Sequence, residues 1–289
     1  MADTFKVACV QSSATPDMDA SVAQCADLAR KARNDGADLI CLPEYFASLE
    51  VIDSLLISQP FPEDQHRALD QCRDLARELG AWLLLGSLAI READGKVANR
   101  SFLLNGAGEI TARYDKIHLF DVDLGGGESY RESATIRPGD RAVLADTPWG
   151  RLGMTICYDI RFPHLYHDLA QAGADFLASP AAFTRTTGQA HWEVLQRARA
   201  IETGCFVFAP SQYGDHGLGR ESHGHSLIVD PWGRVLADAG EGPGFVLAEI
   251  DTTAIAEARR KIPALQHVRP LAKPELSEPE ESPTKLQIA

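Results

Sequence analysis

No two of the six cysteines, Cys9, Cys25, Cys41, Cys72, Cys157 and Cys205, stand in CxxC spacing. That scatter fits neither a zinc ribbon nor a disulfide framework, and it predicts reduced thiols. Positive charge is also scarce. With 28 Lys and Arg against 41 Asp and Glu, the formal charge is −13, whereas capture of nucleic acid needs clustered basic residues. No apolar run approaches the length that spans a bilayer. The stretch MADTFKVACVQ has no basic region followed by a long apolar core. These absences predict a cytoplasmic protein that binds neither nucleic acid nor membrane and takes a small molecule or a protein as partner.

What is present is core: 45% of the 289 residues are apolar, enough for one large domain or two modest ones. Short runs of Val, Ile, Leu and Phe alternate with stretches of helical spacing, an α/β organisation. FKVACVQ reads as the first strand, residues 19–33 as a helix stopped by Asn34-Asp35-Gly36, and ADLICLPE as the next strand. The plan repeats with a helix over 64–79, Gly80 as its stop, and the strand AWLLLGSLAI. SFLLNGAGEITARY reads as a hairpin about Asn105-Gly106. GADLICLPE (36–44) is echoed by GADFLASPA (173–181), consistent with two related halves that set Glu44 and Ala181 at equivalent strand ends. Ligands of open α/β sheets gather at such ends.

The last twenty residues are rich in Pro and Glu and poor in aromatics, too polar to offset ordering entropy, so 271–289 reads as an extended or disordered tail beyond a domain over 1–270. His223 and His225 are spaced i, i+2 without a companion motif and read as structural rather than metal-binding. GGGES at 125–129 lacks the context of a phosphate loop and reads as a loop beside the site.

In GMTICYDIRFP (153–163), a buried strand ends in Cys157 and passes directly into polar residues. A strand-end cysteine is by default a small packed hydrophobe. To act as a nucleophile it needs a base or cation nearby. Three charged residues stand at other strand ends: Glu44 in LPEYF, Lys116 in YDKIHLF and Glu132 in YRESATIRPG. Glu44 and Lys116 sit in apolar or aromatic surroundings, where unpaired charge is costly, and pairing them resolves that cost.

These segments, in this order and spacing, resemble the nitrilase superfamily of carbon–nitrogen hydrolases, and the likeness runs from about residue 5 to 270. The resemblance implies a four-layer α-β-β-α sandwich and a catalytic triad: Cys157 as nucleophile, Glu44 as general base and acid, Lys116 as oxyanion stabiliser, with Glu132 in support. It implies hydrolysis of a non-peptide amide through a thioester, with release of ammonia and a carboxylic acid, using water and no metal or organic cofactor. Tyr158, Arg161 and Phe183 fall in pocket-flanking segments, where a guanidinium can bind a substrate carboxylate. HWEVLQRARAIET, HGHSLIVDPWG and QHVRP are most like the branch of deaminated glutathione amidases and ω-amidases, which act on amides of dicarboxylate-like compounds. The runner-up chemistry is N-carbamoyl hydrolysis. Two rivals stay open: a Cys–His pair using His118, His164 or His167, and a catalytically silent binding protein of the same fold. The resemblance also implies a homodimer or a higher even assembly.

Overall fold

The computed structural model describes residues 4–52, 55–126, 128–217 and 219–273; most of the expected C-terminal tail lies outside the described residues. Two six-stranded sheets carry the chain. The first comprises β1 (Thr4–Gln11), β2 (Leu39–Cys41), β3 (Trp82–Arg91), β4 (Val97–Leu104) and β5 (Ile110–Asp115). The second comprises β6 (Val143–Thr147), β7 (Gly150–Met154), β8 (Phe176–Ala178), β9 (Phe206–Ala209), β10 (Leu227–Val229) and β11 (Val235–Asp238). The last strand, β12 (Gly244–Asp251), returns to the first sheet. Strand orders are β12-β1-β2-β3-β4-β5 and β6-β7-β8-β9-β10-β11.

Both sheets have the same plan. In each, an antiparallel edge strand precedes three parallel strands and an antiparallel pair. Helices α1 (Met18–Asn34) and α2 (Arg67–Leu79) make the crossovers of the first sheet. Helices α3 (Pro163–Gln171) and α4 (Arg185–Thr203) make those of the second, and α5 (Thr253–Lys261) follows β12.

The GAD echo is structural as well. Gly36 and Gly173 take φ of +97° and +99°, a region open to glycine. Asp38 and Asp175 each accept from the backbone N–H of Lys6 and Arg151, 3.0 Å away in both cases. Each Asp N–H in turn donates to the same neighbour's carbonyl.

Alternation along the strands builds the layers. On the first sheet Val7, Cys9, Leu39, Cys41 and Leu84 pack with residues of the second sheet such as Met154 and Phe176. Ala8, Val10, Ile40, Leu83 and Leu85 instead pack against α1 and α2. The second sheet turns its far face to α3 and α4, where Leu169 and Trp192 are buried, which completes the four-layer sandwich.

Two boundaries differ from the sequence reading. ADLICLPE keeps ladder pairing only over Leu39–Cys41: Leu42 makes a last bond to Leu84 and Pro43 has no N–H to continue it. The helix expected from residue 64 starts as a 3₁₀ turn at Glu63–Gln65, and α2 begins after His66.

Candidate active site

The loops leaving β2, β5 and β7 converge on one cavity of roughly 760 Å³ counting its open mouth, which Glu44, Lys116, Glu132 and Cys157 line together. Glu44 follows Pro43 in a loop pressed against β3. A Cβ on Gly86 would fall 2.2 Å from the Leu42 carbonyl oxygen, so glycine is required for this approach. There β3 slips register, and Ser87 accepts from the Tyr45 N–H at 3.0 Å.

Glu44 is 2% exposed and its oxygens are nearly saturated. Oε1 accepts from Asn99 at 2.8 Å and from Lys116 Nζ at 3.0 Å. Oε2 accepts from the Ala182 N–H at 2.8 Å, and the same carboxylate acts on the Cys157 thiol, raising its pKa. Ala182 stands next to the position that the internal echo pairs with Glu44, so the second half supplies a donor to the first half's acid.

Lys116 Nζ also lies 3.0 and 2.8 Å from the two oxygens of Glu132. Glu132 Oε2 is fixed by the Phe120 N–H at 2.7 Å. Burial opposes charge on Lys116, but Glu132 and then Glu44 outweigh it and hold the ammonium well above its ordinary pKa. The Cys157 thiol is pushed well above its ordinary value, first by burial and then by Glu44, with Lys116 pulling the other way. The resting sulfur is therefore a thiol, and a nucleophilic role would require a base to take its proton.

Cys157 opens a 3₁₀ turn, Cys157–Arg161, with φ +48°, a strained setting for a side chain with a Cβ. Its N–H bonds the Pro180 carbonyl at 2.8 Å. Asp159, fully buried, clamps the turn: it accepts from the Ile156 N–H, the Tyr114 hydroxyl and the His118 N–H at 2.9, 2.6 and 3.0 Å. The Tyr158 N–H finds no acceptor among the described residues and lies at the start of the turn, an anion-accepting position.

Tyr158 and Phe183 line the cavity. Arg161 is not among the lining residues; its guanidinium lies 5.3 Å from the Phe183 ring and 5.9 Å from the Tyr158 ring, against His191. His118 is occupied with Asp159 at 2.7 Å and stacks on Phe162. The backbone N–H of His223 donates to the Phe183 carbonyl, and the His225 ring pairs with Asp238. Sequence reasoning missed Asn99, Asp159, Arg131 and Arg220. The two arginines line the cavity and make no ion pair among the described residues. Arg220 bonds the Ser129 carbonyl at 3.2 Å and lies 4.6 Å from the Tyr130 ring.

A thiol, a carboxylate and an ammonium around one cavity are the groups that a cysteine-dependent hydrolase needs. Residues 6–260 match the carbon-nitrogen hydrolase family, and the chain belongs to that family; it is an amidase. It is 45% identical over 271 residues to the deaminated glutathione amidase of Mus musculus, covering 91% of this chain and 83% of that one. It is 40% identical to the deaminated glutathione amidase of Synechocystis, covering 91% and 97%. Among solved structures, Saccharomyces cerevisiae Nit3, a member of branch 10 of the nitrilase superfamily, superposes with a TM-score of 0.79 at 31% identity, covering 90% of this chain and 94% of that one.

Proposed function

We propose that the protein hydrolyses the amide of a small carboxylate-bearing metabolite, deaminated glutathione or an ω-amide of an α-keto acid, by covalent catalysis at Cys157. The observation that carries this reading is the cavity itself, which joins Glu44, Lys116 and Cys157 to two guanidinium groups, Arg131 and Arg220, without ion-pair partners among the described residues. Such guanidinia suit a carboxylate.

As the thiol proton passes to Glu44, Sγ bonds the amide carbon and the carbonyl electrons move onto oxygen. Lys116 and the Tyr158 N–H hold that oxyanion, one such donor contributing about 3 kcal/mol. Lys116 already faces three carboxylate oxygens, so the oxyanion replaces one contact to Glu132, which otherwise fixes the ammonium. Glu44 then gives its proton to the departing nitrogen, the C–N bond breaks, and ammonia or an amine leaves a thioester. Water, deprotonated by Glu44, attacks the thioester and expels the thiol with the returned proton.

The enzyme works in the cytoplasm as a homodimer in this reading. Six unpaired, buried cysteines suit a reducing compartment, and no helix among the described residues is long and apolar enough to cross a membrane. Val194 and Ile201 on α4, with Trp232, are large exposed apolar groups for a second copy to cover.

The test is turnover with mass spectrometry on deaminated glutathione, ω-amides of α-keto acids, N-carbamoyl compounds and nitriles. The expected result is a carboxylic acid product and an acyl adduct on Cys157, both lost in Cys157→Ala. Arg220→Gln is expected to raise KM at least about tenfold for carboxylate-bearing amides and little for neutral ones. Absence of product and adduct across the panel would overturn the reading.

A further inference from the structure

Ser222 and His216 line the same cavity as Cys157 yet take no part in the steps above. Ser222 sits in the hairpin of Tyr213–Asp215 with Glu221–His223, and His216 in its connecting loop. Both are buried, at 3% and 7% exposure.

The His216 ring bridges two oxygens. Nδ1 lies 3.1 Å from the Ala14 carbonyl oxygen and Nε2 lies 2.8 Å from Ser222 Oγ. A carbonyl oxygen only accepts, so Nδ1 carries the proton. Burial lowers the affinity of this imidazole for a second proton, which leaves Nε2 bare at neutral pH. The Ser222 hydroxyl must therefore donate to it. A hydroxyl has one proton and two lone pairs; with the proton committed, Ser222 can only accept from whatever occupies the cavity.

Buried acceptors left free are few there; the lining carboxylate of Glu221 is exposed and its Oε2 pairs with Arg185 at 3.2 Å. Glu44 and Glu132 are occupied as described, and Thr184 and Thr187 bond each other at 2.7 Å. Against these stand the donors Lys116, Arg131, Arg220 and the Tyr158 N–H, with tyrosine hydroxyls that can give or accept. An amide offers its carbonyl to donors, but its N–H needs an acceptor.

We propose that Ser222 Oγ, fixed in polarity by His216, receives the N–H of the scissile amide and so selects amides over esters of the same acid. This rests on the amidase reading and deepens it. An ester places an oxygen lone pair where the N–H would sit, against another lone pair, a repulsive mismatch.

The experiment compares a primary amide of a dicarboxylic acid, whose only N–H groups are on the scissile nitrogen, with its methyl ester. For Ser222→Ala, kcat/KM for the amide is expected to fall about tenfold while that for the ester changes less than about twofold. Ser222→Thr, which keeps the acceptor, is expected to restore the amide. Equal losses on amide and ester would assign Ser222 a merely structural role and overturn the proposal. A second arm needs no turnover: calorimetric affinity of the amide for Cys157→Ala is expected to exceed that for the Cys157→Ala/Ser222→Ala double variant about tenfold, and equal affinities would also overturn it. If the wild-type protein hydrolysed no amide while this binding difference held, the amidase reading would fail and with it the selection of amides over esters, leaving Ser222 only as an acceptor for a bound amide N–H.

Discussion

Lys116 is the residue on which the site's electrostatics turn. Its ammonium is 2% exposed and lies between two carboxylates, so it is a structural counter-ion as well as the expected oxyanion donor. Removing one partner of a buried ionic group strands the others. Lys116→Met is therefore expected to abolish turnover and also to lower unfolding free energy by about 3–5 kcal/mol. Lys116→Met/Glu132→Gln, which removes one stranded charge, should recover part of that stability and none of the activity. Urea denaturation of the two variants checks this; equal stabilities would mean that Glu132 does not feel the ammonium. Glu44, Lys116 and Cys157 stand in segments that resemble a known family's, so their convergence on one cavity was readable from the sequence. Asn99 and Arg220 were not, because a residue that acts through a partner far along the chain leaves no local spacing to read. Arg161 shows the converse. It adjoins the nucleophile segment, yet its guanidinium lies over the cavity's aromatic rings rather than among its lining groups.

Among the elements, the start of α2 holds a liability. His66 caps this helix without a side-chain hydrogen bond, is 1% exposed, and neither ring nitrogen has a partner among the described residues. Burial lowers its pKa to about 4 from 6.5, with its own backbone and then Asp70 pulling the other way. The unfolded chain then binds a proton between pH 6.5 and 4 that the folded chain refuses, so stability falls as pH drops through that window and is unaffected by this group above it. At pH 5, 1.5 units below the unfolded value, the loss is about 2 kcal/mol at 1.36 kcal/mol per unit. His66→Phe and His66→Leu, which keep an apolar contact with Phe61, are expected to gain about that much stability over wild type at pH 5 relative to pH 8. Thermal melts at the two pH values measure it, and a gain that does not depend on pH would refute the mechanism. The displaced helix start has the same origin. The periodic pattern runs on through residues 64–66, but the 3₁₀ turn and the extended backbone at His66 break it, and neither feature has a signature in apolar spacing.

At the scale of the whole molecule, duplication was legible because it lies in local chemistry. The glycine at positive φ and the aspartate that grips the preceding strand recur in both halves, and those short-range needs keep GAD visible. The matching strand orders were not readable, since the antiparallel strands β4, β5, β10 and β11 pair through registers that no local motif announces. Duplication also places the site: the strand ends of both halves face the same cavity, one giving Glu44 and the other Cys157 and the Ala182 N–H. In the homodimer proposed above, a second copy would have an outer face to use. Along α4 the exposed Val194 and Ile201 are seven residues apart, on one side of the helix. A Cβ on Gly233 would fall 2.6 Å from Ile201, which puts the turn after the exposed Trp232 against the same patch. Charge placed in the middle of a buried apolar interface costs several kcal/mol. Val194→Glu/Ile201→Glu is expected to convert a homodimer to monomers by light scattering, with far-ultraviolet circular dichroism unchanged because both side chains are exposed within one chain. Retention of the dimer by this variant would move the interface to another face.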